Sequence, residues 1–227
     1  MADRAGRLKF AQCGLFIKPH TRTNTSMQAL AFTLIAALFT PFAQAGNEST
    51  ATQIITPAHP VWLLERPYPD GPMLTARTFG DSAYGDFHTN ANLEISCHPQ
   101  NPAASLTLHI SPQSLGFDSD PFEGPDASAN GPLRITAGTR AAIEVSANGV
   151  WTHGGVFQVG TIFALNADIP RAELAYWASG ASRGQTLTVS LAPALAGGKP
   201  LTATFTLPKN NNTLKTAIQP CLSTAAP

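Results

Sequence analysis

The sequence predicts an all-β fold, an antiparallel β-sandwich with one or two short helices and a core disulfide. The first observation behind this is the stretch NLEISCHPQNPAASLTLHIS, Asn92 to Ser111. Leu93, Ile95 and Cys97 alternate with Glu94, Ser96 and His98; after a Pro/Asn break, Leu106, Leu108 and Ile110 alternate with Thr107 and His109. Period-two alternation on both sides of a turn reads as an antiparallel hairpin with one face in a core. Pairing Cys97 with Leu106 sets Ile95 against Leu108 and Leu93 against Ile110, with every apolar residue on that face. The second observation is composition. Charged residues make up only 12% of the chain, and the abundance of Thr, Ser, Ala, Gly and Pro suits strands and turns better than helices. The third is the cysteine count of three. Cys13 falls in a leader, so Cys97 and Cys221 remain as an even pair, which in an oxidising compartment reads as a disulfide. The rival, a pair of metal-binding thiols, lacks a CxxC spacing.

Taken in order, residues 1–45 read as a leader with a signal peptide. Arg4, Arg7, Lys9, Lys18 and Arg22 give a basic flank, Ala29 to Ala43 an apolar run, and Ala43-Gln44-Ala45 an A-x-A cleavage site before Gly46. The run is broken by Pro41 and is short for a bilayer span. No cysteine follows the cleavage site, so nothing suggests a lipoprotein. The basic flank is long, and translation from Met27 would leave almost none of it. The leader takes five of the 14 Lys+Arg and one of the 14 Asp+Glu, so residues 46–227 carry a formal charge of −4. They suffice for one domain with a full core, divided into an extended segment at 46–80, the sandwich at 81–222 and a tail at 223–227.

Val61 to Glu65 reads as a strand or a segment packed through Trp62, Arg66 to Pro72 as a turn cluster and Met73 to Thr78 as a strand. Phe79 to Asn90 reads as a loop exposing Tyr84, Phe87 and His88. Beyond the central hairpin, Pro112 to Pro132 is the longest irregular piece, carrying Phe117 and Phe122 beside Asp118, Asp120, Glu123 and Asp126. Leu133 and Ile135 start a strand; Ile143, Val145 and Ala147 make another. Asn148-Gly149 is a two-residue hairpin signal that should turn Val150–His153 back on Glu144–Ser146. Val156 to Leu165 is strand-like. Asp168 can cap a short helix with Pro170 in its first turn and Gly180 as its stop. Leu187, Val189 and Leu191, then Leu201, Ala203, Phe205 and Leu207, alternate with Thr and Ser on either side of a hairpin link. Asn212 can cap a helix of one or two turns, with Leu214 and Ile218 at i and i+4, ending at Pro220-Cys221.

Little in the chain points to chemistry. There is no G-x-S-x-G nucleophile elbow, and Ser179-Gly180 with Ser182 reads as a helix end. The histidines after the leader (His59, His88, His98, His109, His153) show no H-x-x-x-H or H-E-x-x-H spacing. Register sets His109 against Glu94 and His98 near Ser105, an ordinary cross-strand contact. Gly46 rather than His at the expected new N-terminus argues against copper ligation there. Asp118 to Asp126 could hold calcium, but its spacing fits no EF-hand and a solvated loop is the plainer reading. No basic patch with interleaved aromatics suggests nucleic acid. Trp151 falls on the polar face of its strand, which means cover by another element or exposure for binding.

In order of elements, residues from about 90 to 222 resemble a group of bacterial periplasmic proteins that includes the invasion-associated locus B type and accessory proteins linked to type VI secretion. The residues concerned are Leu93, Ile95 and Cys97, matching an L-x-I-x-C strand, and Phe205 and Leu207 before Leu214, Ile218 and Cys221. Pro112 to Pro132 is an insertion relative to that pattern, and the N-terminal segment has no counterpart. The resemblance implies a small disulfide-bonded β-sandwich without catalytic machinery.

The expectation is therefore an exported, non-catalytic binding or accessory protein of the bacterial envelope, periplasmic or secreted, without a cofactor. Its partner would be another envelope or secreted protein. Binding would use Tyr84, Phe87, His88, Phe117, Phe122 and Trp151, on loops held by a rigid scaffold. The alternatives are an envelope-localised inhibitor of a hydrolase such as lysozyme, or a carbohydrate-active or other hydrolase with a site built from scattered residues.

Overall fold

The computed structural model describes residues 61–98, 103–124, 131–154, 158 and 160–223. The expected leader, the arm at 46–60 and Asp126 lie outside the described residues. The strands are β1 (Leu63–Glu65), β2 (Leu74–Tyr84), β3 (Phe87–Cys97), β4 (Ala104–Ile110), β5 (Leu133–Ala137), β6 (Ile143–Val145), β7 (Ala147–His153), β8 (Thr161–Ile169), β9 (Thr186–Leu191) and β10 (Leu201–Thr206). The helices are α1 (Pro112–Leu115), α2 (Arg171–Trp177) and α3 (Asn212–Ser223).

All strands join one ten-stranded sheet of antiparallel ladders in the order β6-β5-β9-β10-β2-β3-β4-β8-β7, with β1 on β2. The two ends of that order, β6 and β7, are separated in sequence by Ser146 alone. They act as one strand broken at Ser146, whose first part pairs with β5 and whose second pairs with β8. Followed through β5, β9 and β10, Val145 is level with Tyr84 on β2; followed through β8, β4 and β3, Ala147 is level with Ala76. Such a stagger per circuit is what tilted strands need to close into a barrel. The all-β antiparallel expectation holds, with the two layers of a sandwich formed as facing walls of one rolled sheet.

Alternation decides which face is inside. Leu93, Ile95 and Cys97 of β3, Leu106, Leu108 and Ile110 of β4, Leu187, Val189 and Leu191 of β9, and Ala203 and Phe205 of β10 are buried in one core. The helices add Leu174, Trp177, Leu214 and Ile218 to it. Cys97 and Cys221 form the expected disulfide, with Cα atoms 6.0 Å apart, inside the ordinary range for a bridge. No helix among the described residues is long and apolar enough to cross a membrane.

Several local expectations need correction. The β3–β4 register pairs Cys97 with Ala104, Ile95 with Leu106 and Leu93 with Leu108. A two-residue slip preserves parity, so the apolar face is kept while His109 moves opposite Asn92. Phe79–Asn90 is not a loop but the end of a long hairpin; β2 runs through residue 80, and β1 pairs with its first half. Trp62 is buried and its Nε1 donates to the Thr206 carbonyl at 2.9 Å. Asn148-Gly149 makes no turn; it lies within β7. A Cβ on Gly149 would run into the Phe163 ring and come within 2.5 Å of the Phe122 carbonyl, so this glycine serves close approach. Asp168 caps no helix: it pairs with Ser105 at the end of β8, and Pro170 occupies the N-cap of α2. Ser179 to Ser182 instead form a 3-10 turn, opened by the Ser179 side chain accepting from the Ala181 amide. α3 continues through Pro220 because Leu214, Ala217, Ile218 and Cys221, at i, i+3, i+4 and i+7, are all buried.

Candidate partner-binding site

The β2–β3 hairpin turns on two residues, Gly85 and Asp86, between the paired Tyr84 and Phe87. Gly85 has φ 61°, a conformation that costs glycine little and other residues more. Lys199, from the link between β9 and β10, lies against this turn, its Nζ 3.9 Å from Asp86 Oδ2. Both groups are solvated, so this contact orients more than it stabilises.

The aromatic residues near this end divide by role. Tyr84 is half-buried and meets Phe117 edge-on at 5.3 Å between ring centroids. Phe117 stacks on Phe122 at 5.5 Å, and both rings are buried. They are held by α1, which ends at Gly116 in the left-handed region, and by a 3-10 turn over Asp120–Phe122. Residues 112–124 are therefore built on these two turns, and their two phenylalanines join the core. Phe87 is 60% exposed, and Leu195 on the neighbouring link is 79% exposed. His88 is exposed too. Trp151 is half-buried, its ring 5.3 Å from that of Phe163 and edge-on. Phe87 and His88 are thus the accessible members of the expected set; Phe87 is the cross-strand partner of Tyr84, which packs on Phe117, while His88 points to the other face of β3. Lys199 was not singled out in sequence, since its nearness to the Gly85-Asp86 turn comes from the β10–β2 pairing.

A second constellation lies on the outer face of β1 to β4. Arg77 bonds Glu65 at 3.0 Å and Glu94 at 2.5 Å. His109 Nδ1 lies 3.3 Å from Glu94 Oε1, but it is not aligned for a hydrogen bond and has no partner among the described residues. Burial, aided by the Arg77 charge, lowers the His109 pKa to about 4, leaving a neutral imidazole at neutral pH. Burial raises that of Glu94, against the opposing pull of Arg77. Beside them Asn92 is only 2% exposed, and neither atom of its amide finds a hydrogen-bond partner among the described residues. Glu94 and His109 do meet as expected, although diagonally rather than directly across. No hydroxyl or thiol is shown hydrogen-bonded to His109 among the described residues.

Asp118 accepts from the Asp120 amide at 3.2 Å, a local turn contact. Among the described residues no three His, Cys, Asp or Glu side chains converge in a metal-holding group. The class so defined is an all-β barrel-like domain closed by a helix and a disulfide. No protein-family model, curated protein or solved structure matches the chain.

Proposed function

We propose that the protein is an exported binding or accessory protein of the cell envelope that recognises another protein through the barrel end bearing Phe87. The observation that carries this is an exposed phenylalanine beside a two-residue turn, paired across the hairpin with Tyr84, whose own ring packs on Phe117. A large apolar ring kept accessible by a rigid hairpin loses little conformational freedom on binding, which is the condition for an anchor residue. Leu195, on the β9–β10 link whose Lys199 lies against the same turn, is a second exposed apolar side chain, and His88 and Lys199 are polar groups beside the turn. The basic flank, the apolar run and the A-x-A site of the leader support export, and the Cys97–Cys221 bridge suits an oxidising compartment. The resemblance of the L-x-I-x-C strand and the terminal cysteine helix to periplasmic accessory proteins points the same way.

The test is cross-linking in the envelope fraction with Phe87→Ala and Leu195→Ser combined. Loss of a discrete cross-linked species, with the melting temperature unchanged and the species retained in Tyr68→Ala and Val150→Ala, supports the reading. Retention of the species in the double variant overturns it. A projecting tip also suits insertion into an enzyme cleft, so a lysozyme-activity assay with the wild-type protein added distinguishes the inhibitor reading: reversible inhibition lost in Phe87→Ala supports it, and unaltered activity rejects it.

A further inference from the structure

The break at Ser146 leaves a groove of about 440 Å³ where β6 departs along β5 and β7 along β8. Its walls are Ser105, Ser146, Asn148, Asn166 and Asp168, with Val145, Ala147 and Ala167 beneath them. This volume lies in the range of sites for small ligands. Cross-strand register makes the walls regular: Asn148 faces Asn166, Asn166 faces Thr107, and Ser105 faces Asp168. The Thr107 hydroxyl donates to Asn166 Oδ1 at 2.9 Å. That bond fixes the amide and leaves its Nδ2 as the group free to donate. Asp168, Asn148 and Ser146 are all exposed to solvent, and no cation pairs with Asp168 among the described residues.

We infer that this groove binds a polyhydroxylated ligand of monosaccharide size, neutral or carrying an amine. Each sugar hydroxyl is at once a donor and an acceptor, and the groove offers both: amides that donate, a carboxylate that accepts, and two serine hydroxyls that do either. Among the described residues Asp168 is the one charged group in the lining, so a cationic substituent gains there and an anionic one is repelled. No arginine, lysine or histidine among the described residues lines it to hold a phosphate or carboxylate. The inference is independent of the tip, since none of the tip residues takes part.

The experiment is a chemical-shift titration of the isotope-labelled protein with glucose, glucosamine and glucuronate, sugars of one size and three charges. Saturable shifts at the amides of Ser105, Ser146, Asn148, Asn166 and Asp168 are expected with glucosamine and glucose, weaker or absent with glucuronate. Asp168→Ala should weaken glucosamine binding about tenfold, and Asn148→Leu, which fills the groove, should abolish it, both without change in melting temperature. Shifts that do not saturate, that fall elsewhere, that are as strong with glucuronate, or that persist unaltered in Asp168→Ala overturn the inference. Should Asn148→Leu fail to fold, the solvent-exposed Asp168→Ala decides alone.

Discussion

Replacing both bridged cysteines, Cys97→Ala with Cys221→Ala, should remove a large share of the net stability. The bridge closes a sequence separation of 124 residues. For a loop of that length the chain-entropy relation gives about 5 kcal/mol at 25 °C, and measured losses for native bridges span about 2–5 kcal/mol. Two effects adjust the figure. Residual structure in the reduced unfolded chain lowers it, whereas loss of two sulfur atoms from a site where both cysteines are 1% exposed leaves a small void and raises it. α3 stays docked through Leu214, Ala217 and Ile218, so the folded state survives and the loss arises mainly from a freer unfolded chain. Equilibrium urea unfolding measures this directly. The double variant should unfold at lower urea with an unchanged or steeper slope, because an unbridged chain exposes more surface. A midpoint equal to that of the oxidised wild type would refute the reasoning.

Three further outcomes follow from the same structure. Gly149→Ala should destabilise by about 1–3 kcal/mol through overpacking against Phe163 and the Phe122 carbonyl; a neutral melting temperature would mean Gly149 sits in a turn after all. The His109 ring should titrate near 4, so the unfolded chain binds its proton first, and the stability His109 contributes is complete above about 6.5 and lost as pH falls toward 4. That loss approaches about 3 kcal/mol, offset in part by Glu94, whose raised pKa has the opposite slope above its ordinary value; a His109 resonance with a midpoint near 6.5 would sink this. Protein exported from a Gram-negative host should begin at Gly46, and a mature N-terminus upstream of it would count against the leader.

What the sequence made legible was local. Alternation identified the strands of the central hairpin and those at Leu187–Leu191 and Leu201–Leu207, because parity survives any two-residue slip. The same indifference to slips concealed the true register, and with it the placing of His109 opposite Asn92. Glycine was the least readable residue. Gly85-Asp86 makes the real two-residue turn, while Asn148-Gly149, the stronger signal by type, lies in a strand because a ring and a carbonyl occupy the place of a side chain. The first signal was obscured by the surrounding Asp, Ser and Asn, which read as loop. The buried state of Phe117 and Phe122 and the groove at Ser146 depend on pairings between distant strands, for which a single sequence carries no local pattern.

Where recognition can occur follows from what closure has already used. α3 and the disulfide commit the β2–β3 strand ends near Leu74 and Cys97 to the core, and α2 is held in place by Arg140, which bonds Glu173 at 2.7 Å and stacks over Tyr176 at 4.1 Å. Tyr176 in turn donates to Gln185 at 2.6 Å. The outer faces of β9 and β10 present Thr188, Ser190, Thr202 and Thr204, short side chains that offer a partner little area to bury. Two features lie outside that economy of closure. The β2–β3 tip keeps a phenylalanine in solvent although its cross-strand partner Tyr84 packs on Phe117, and the broken strand at Ser146 keeps a polar concavity. Neither is required to close the barrel, and this is the physical reason to look for recognition there first.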